Sequence, residues 1–172
     1  MDEPLDRFLG ETAALGPKRG PLLVQLPPSL PFEAEVVGAF LASLRHRYDG
    51  AVACEPRHAS WFTPEASKRL EDLEVARVAA DPAVVPQAAE PGGWGGLVYY
   101  RLHGSPKVYY SAYPAEYLEA LAVTLREAAN TASTWCIFDN TAQGAATANA
   151  LAVSERLDQS RDVPGGCDRR MM

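Results

Sequence analysis

Short apolar runs alternate with amphipathic stretches along most of this chain. Leu22-Leu23-Val24-Gln25-Leu26, Ala51-Val52-Ala53-Cys54, Val75-Ala76-Arg77-Val78-Ala79-Ala80, Leu97-Val98-Tyr99-Tyr100-Arg101-Leu102 and Trp135-Cys136-Ile137-Phe138 are near-continuous in hydrophobicity. Such runs, closed by Pro, Asp or Gly, predict strands buried on both faces, as in a parallel sheet. The segments between them carry apolar residues at helical spacing. Leu5, Phe8, Leu9 and Leu15 predict a helix over 5–15, stopped by Gly16-Pro17-Lys18-Arg19-Gly20-Pro21. Phe32, Val36, Val37, Phe40, Leu41 and Leu44 share one face of a helix over 32–47, and Asp49-Gly50 ends it. Thr63-Pro64-Glu65 joins an N-cap residue, a first-turn proline and an early acid, opening a helix that runs to about Asp72. Further helices are predicted from about Pro114 to Asn130, with Tyr117, Leu118, Leu121 and Leu125 inward, and from about Ala142 to Leu157. Pro82, Pro86, Pro91 and Gly92-Gly93-Trp94-Gly95-Gly96 predict a long loop.

Short strands alternating with helices call for an α/β fold, a parallel sheet with helices packed outside it. The pattern leaves open whether the sheet closes toward a barrel or stays open. No period beyond the alternation exists, and no GxGxxG or P-loop run, so the fingerprints of nucleotide folds are missing. With 172 residues one domain is expected, over 1–157, and residues 158–172, containing Pro164-Gly165-Gly166 and Asp168-Arg169-Arg170, read as a disordered tail.

Composition narrows the partners. The 47% hydrophobic and 22% charged content is that of an ordinary globular protein. Sixteen Lys and Arg against 22 Asp and Glu leave a net charge of −6, which repels polyanions over most of the surface. A nucleic-acid partner would therefore need a local basic groove. Cys54, Cys136 and Cys167 show no CxxC spacing, and two of them sit in the apolar runs, so they read as reduced structural thiols. No apolar stretch approaches the roughly 18 residues of a membrane helix, and Met1-Asp2-Glu3-Pro4 lacks the basic start of a signal peptide. A cytoplasmic protein with no membrane partner is expected.

Parallel α/β folds bind ligands at the carboxyl ends of their strands, where loops and helix N-termini converge. The five predicted strands deliver Gln25; Glu55, Arg57 and His58; Asp81; Arg101 and His103; and Asp139 and Asn140 to that end. Glu55, His103 and Asp139 are the acid/base candidates, because carboxylates and imidazole move protons near neutral pH. Arg57 and Arg101 are candidate clamps for a small polar or anionic ligand, with Gln25, His58, Trp61 and Asn140 as further ligand contacts. Each has a plainer reading. Gln25 could hydrogen-bond the Pro27-Pro28 turn, Glu55 and Arg57 could form a structural ion pair, and Trp61, Tyr109, Tyr110 and Tyr113 could be packing residues. His46, flanked by Arg45 and Arg47, reads as solvated surface. No HxH or HxxxH spacing points to a metal, and Ser60 and Ser111 lack the GxSxG setting of an activated nucleophile.

Four segments also come in a telling order: Gly20-Pro21-Leu22-Leu23-Val24-Gln25-Leu26-Pro27-Pro28-Ser29; Glu55-Pro56-Arg57-His58-Ala59-Ser60-Trp61; Arg101-Leu102-His103-Gly104 followed by Tyr109 to Tyr113; and Ile137-Phe138-Asp139-Asn140 with Gly144-Ala145-Ala146 and Asn149-Ala150. In this order and spacing, over about residues 5–157, the chain resembles the DUF72 (YecE-like) family. The resemblance implies a TIM-barrel-like fold, here a partial barrel of about five to six parallel strands alternating with helices. It implies these motifs at the carboxyl-end face, no established cofactor and no assigned reaction. Asp139-Asn140 stands where many relatives carry two asparagines, which adds an acid to the site. Nothing here matches the family's leading Gly-Thr-Ser-Gly-Trp-like strand, so the chain reads as an N-terminally truncated member. Two rival readings remain at this stage: a metal-dependent phosphoesterase or nuclease-like hydrolase, and a non-catalytic binding protein or non-functional fragment. No cofactor is identified from the residues, and a divalent metal is left open.

Overall fold

The computed structural model describes residues 2–159. Seven strands, β1 (Leu22–Gln25), β2 (Val52–Glu55), β3 (Val75–Arg77), β4 (Ala79–Asp81), β5 (Gly92–Gly93), β6 (Leu97–Leu102) and β7 (Ser133–Phe138), alternate with five α-helices. These are α1 (Asp2–Ala13), α2 (Ala34–Arg47), α3 (Pro64–Asp72), α4 (Ala115–Ala129) and α5 (Ala145–Gln159). The fold is therefore mixed α/β with parallel pairing, as the alternating pattern predicts. No closed ring of strands forms among the described residues: one sheet runs β1-β2-β3-β5 and a second runs β4-β6-β7. The single predicted strand over 75–80 is divided at Val78. Its first part pairs in parallel with β2 and its second with β6, while the Val78 N–H donates to the Cys54 carbonyl at 2.9 Å.

Side chains alternate across these strands as the two-residue period requires. Leu22 and Val24 of β1, Val52 and Cys54 of β2 and Val75 of β3 pack with Val37, Leu41, Leu44, Trp61 and Leu70. Tyr100 and Leu102 of β6, with Ala79 of β4, pack with Leu118, Leu121, Leu125 and Val153 of α4 and α5. The residues between them, Leu23, Ala53, Ala76, Val78, Ala80, Leu97, Tyr99 and Ile137, form a third apolar layer. That layer mixes the small side chains of Ala53, Ala76 and Ala80 with larger ones, and the polar strand ends continue its face.

Local chemistry accounts for the boundaries. The Thr63 hydroxyl accepts the Ala66 N–H at 3.2 Å and caps α3, with Pro64 in the first turn. Arg45 in the last turn of α2 donates to the carbonyls of Leu73 at 2.9 Å and Gly50 at 2.6 Å, fastening the turns that lead into β3 and β2. The long loop over 82–96 differs from expectation. It contains a 3-10 turn over Pro86–Ala89 and the two-residue strand β5, antiparallel to β3. Gly93 permits this: at φ +65° a Cβ would lie 2.5 Å from the Val75 carbonyl oxygen. The buried Arg77 guanidinium then holds the segment through the carbonyls of Gln87 at 3.2 Å and Glu90 at 3.4 Å.

Helix α5 continues to Gln159, so the first residues assigned to a tail are helical, and 160–172 lie outside the described residues. Cys54 and Cys136 are unpaired, and burial pushes both thiols up to about 12, which leaves them unreactive as nucleophiles. No helix among the described residues is long and apolar enough to cross a membrane. The packing of α3 leads to a graded expectation. Leu70→Ala, at a fully buried position, should cost about 2–5 kcal/mol and Thr63→Ala about 1 kcal/mol in urea unfolding. Equal, small losses at both positions would contradict the described packing.

Candidate functional site

Parallel registration aligns the carboxyl end of β1 with that of β2, and that of β6 with that of β7. Gln25 pairs with Glu55 across β1 and β2, and Arg101 with Ile137 across β6 and β7. Glu55, Arg101 and Asp139 lie on the face that carries the third apolar layer, each two positions beyond a residue of it: Ala53, Tyr99 and Ile137.

Glu55 is 1% exposed and accepts from three cations or potential cations. Arg57 Nη1 reaches its Oε1 at 3.0 Å, Arg101 Nη1 its Oε2 at 2.6 Å, and His103 Nε2 its Oε1 at 3.0 Å. Arg101 also donates through Nη2 to Asp139 Oδ2 at 2.5 Å, and His103 Nδ1 faces the same oxygen at 2.8 Å. A fully buried imidazole and a guanidinium thus each bridge the same two carboxylates. Burial alone would raise the Glu55 carboxyl, but the hydrogen bonds and charges of His103 and Arg101 outweigh it and hold the group below its ordinary value.

Access is uneven. Both Glu55 oxygens are occupied, whereas the Asp139 side chain is 24% exposed and its Oδ1 has no hydrogen-bond partner among the described residues. Arg57 stands at the edge of the cluster and, with Gln25, Leu26, Pro27, Pro28 and Tyr109, lines a surface depression of about 440 Å³.

Three of the predicted site residues are placed elsewhere. The His58 ring caps the 3-10 turn over Ala59–Trp61 by accepting the Ser60 N–H at 3.2 Å, and it contacts the Ser60 hydroxyl at 2.8 Å. Trp61 is buried among β1, β2 and α2, with its indole N–H on the Leu30 carbonyl at 3.0 Å. Asn140, fully buried, donates to the Ser111 carbonyl at 2.9 Å and to Asn149 Oδ1 at 2.8 Å. It locks the loop after β7 to α5 rather than facing the depression. Asp81 accepts the Tyr113 hydroxyl at 2.7 Å, and that phenol is raised by burial and by this bond.

Tyr109 joins the site without having been selected from the sequence as a site residue. Its backbone has φ +68°, its N–H donates to the His103 carbonyl at 2.5 Å, and its ring stands edge-on to the imidazole at 5.9 Å. The Gly104-to-Tyr113 loop carries only the weak signal of clustered tyrosines. A conformation with positive φ at a tyrosine has no signature in the pattern.

Among the described residues, no group of three or more His, Cys, Asp or Glu side chains is arranged to hold a metal ion. Arg101 stands between the two carboxylates, the position a shared cation would take.

Fold and site together define an α/β protein with a buried carboxylate, imidazole and guanidinium cluster at the strand ends. The family described as "Protein of unknown function DUF72" matches residues 1–169, and the chain belongs to this family. It is similar to the crystal structure of a DUF72 family protein from Enterococcus faecalis V583, with a TM-score of 0.76 and 23% identity over 91% of this chain and 66% of that one. It is also similar to a DUF72 family protein from Thermotoga maritima MSB8, with a TM-score of 0.74 and 25% identity over 91% and 65% of the two chains. The chain thus spans about two thirds of the length of these relatives. A search of the curated proteins gives no match.

The cluster should govern stability. Glu55→Ala leaves two guanidiniums and a buried imidazole without their shared acceptor, so a loss of about 3–5 kcal/mol is expected in denaturant unfolding. Because the folded Glu55 carboxyl lies below its ordinary value of 4.5, the unfolded chain takes up this proton first as pH falls. Its contribution is complete above that value and disappears as pH drops through the folded one. Urea midpoints measured from pH 7 to pH 3 should therefore fall more steeply for the wild type than for Glu55→Gln. Parallel profiles would show that Glu55 is not the group responsible.

Proposed function

We propose that this DUF72 protein binds a small polar or anionic ligand at the strand carboxyl ends and exchanges a proton with it through Asp139 and His103. One observation carries the reading: Asp139 offers an uncommitted, partly exposed Oδ1 while its other oxygen is fixed by Arg101 and His103. A carboxylate held in that way has a defined direction toward solvent and a buried imidazole behind it. Glu55, enclosed and kept ionised, acts as the positioning residue that orients His103 and Arg101. Arg101 serves the carboxylates rather than a ligand, which leaves Arg57 as the cation nearest the depression, with Gln25 beside it.

The same reading takes the two sheets as one curved layer, a partial barrel of the TIM type formed by residues 1–157. Strand order follows chain order, β3 and β4 are consecutive, and the Trp135 ring of β7 lies against Gly20 before β1, 2.9 Å from where a Cβ would stand. A crystal structure with two flat, separate sheets would overturn it. The unpaired thiols suit a reducing compartment, and the cytoplasm is the proposed location.

Calorimetric titration with inorganic phosphate and acetate tests the ligand site. Arg57→Ala should weaken binding about tenfold or more, since a charge-assisted contact is worth about 1.5–3 kcal/mol. Equal affinity in wild type and variant would remove Arg57 from the site.

A further inference from the structure

We propose that the ligand of this site is a ring-bearing acid, its anionic group on Arg57 and its ring against Tyr109. This rests on the anion reading above and adds the body of the molecule to its charge.

Arg57 has donors to spare. Of its three guanidine nitrogens only Nη1 has a protein hydrogen-bond partner among the described residues, and that partner is Glu55. Nε is enclosed without a partner, so Nη2 is the donor left open to a ligand. A guanidinium donor without a protein partner gains a charge-assisted hydrogen bond when an anion reaches it. A carboxylate oxygen is a fitting acceptor for it.

The rest of the lining is wrong for a bare, hydrated anion. Leu26, Pro27, Pro28 and the Tyr109 ring are apolar, and Gln25 adds one amide. An ion as small as acetate would use the guanidinium and leave those surfaces wet. A ring would cover them, and about 440 Å³ holds a one-ring acid within the range usual for small-molecule sites.

Tyr109 is held for contact. A bulky residue at positive φ is strained, yet its N–H is tied to the His103 carbonyl and its own carbonyl accepts the Ala142 N–H at 3.0 Å. The loop therefore fixes the phenol at the border between the depression and the imidazole. It remains 44% exposed, so part of the ring is open to a partner. Aromatic and alicyclic rings both pack on such a surface.

The test uses the full chain and three carboxylates, acetate, benzoate and cyclohexanecarboxylate, titrated calorimetrically and by amide NMR shifts. Benzoate and cyclohexanecarboxylate should bind at least about tenfold more tightly than acetate and shift the amides of Arg57 and Tyr109. Tyr109→Ala should reduce both to the acetate level, Tyr109→Phe should keep the preference, and Arg57→Ala should weaken all three. Tyr109→Gly, which adopts the same backbone without strain, replaces Tyr109→Ala should that variant not fold. Equal affinity for acetate and benzoate overturns the ring proposal and leaves the anion site standing. A preference that survives loss of the Tyr109 ring also overturns it. Absence of binding by all three overturns both readings.

Discussion

The constraint on which this structure turns is the ionised carboxylate of Glu55 in a place that water does not reach. A buried charge is tolerated only with its hydrogen bonds filled. Filling them requires Arg57 from the loop after β2 and Arg101 and His103 from the end of β6. Asp139 is drawn in because Arg101 has a second guanidinium nitrogen to satisfy and the other ring nitrogen of His103 faces the same carboxylate oxygen. The geometry of the candidate site follows from solving one electrostatic problem, and the relative heights of β2, β6 and β7 are fixed by it as well.

Much of the fold was legible because burial leaves a periodic trace. β6 matches its expected bounds, and α3 begins at the predicted cap Thr63, since a short continuous apolar run and a capping threonine are local signals. The division of the third strand at Val78 was not legible. It depends on which neighbour each half meets, β2 or β6, and that is a tertiary fact. The short pairing inside the loop over 82–96 is hidden for a related reason. Glycines and prolines signal irregular chain, but here Gly93 is what lets the backbone pair closely with β3.

The site was legible by position and less so by role. Polar residues at the strand ends point to Glu55, Arg57, Arg101, His103 and Asp139, because a buried-strand pattern also tells where each strand stops. The pattern does not separate them from His58 and Asn140, which are equally polar and equally near, yet use the His58 Nδ1 on a turn cap and the Asn140 amide nitrogen on a loop lock. Trp61 goes to the core because its indole N–H finds a carbonyl there. Tyr109 escaped selection because its importance lies in a backbone angle.

Arg101 joins an acid of one sheet to an acid of the other. Apolar contact between the sheets is non-directional and tolerates sliding, whereas this bridge does not. The chemistry of the site and the cooperativity of unfolding are therefore carried by the same atoms. Exploration of new chemistry by mutation is consequently narrow at Glu55, Arg101 and His103, and wide at Gln25, Arg57 and Tyr109. Divergence in ligand choice should accumulate along that outer rim while the inner cluster stays fixed.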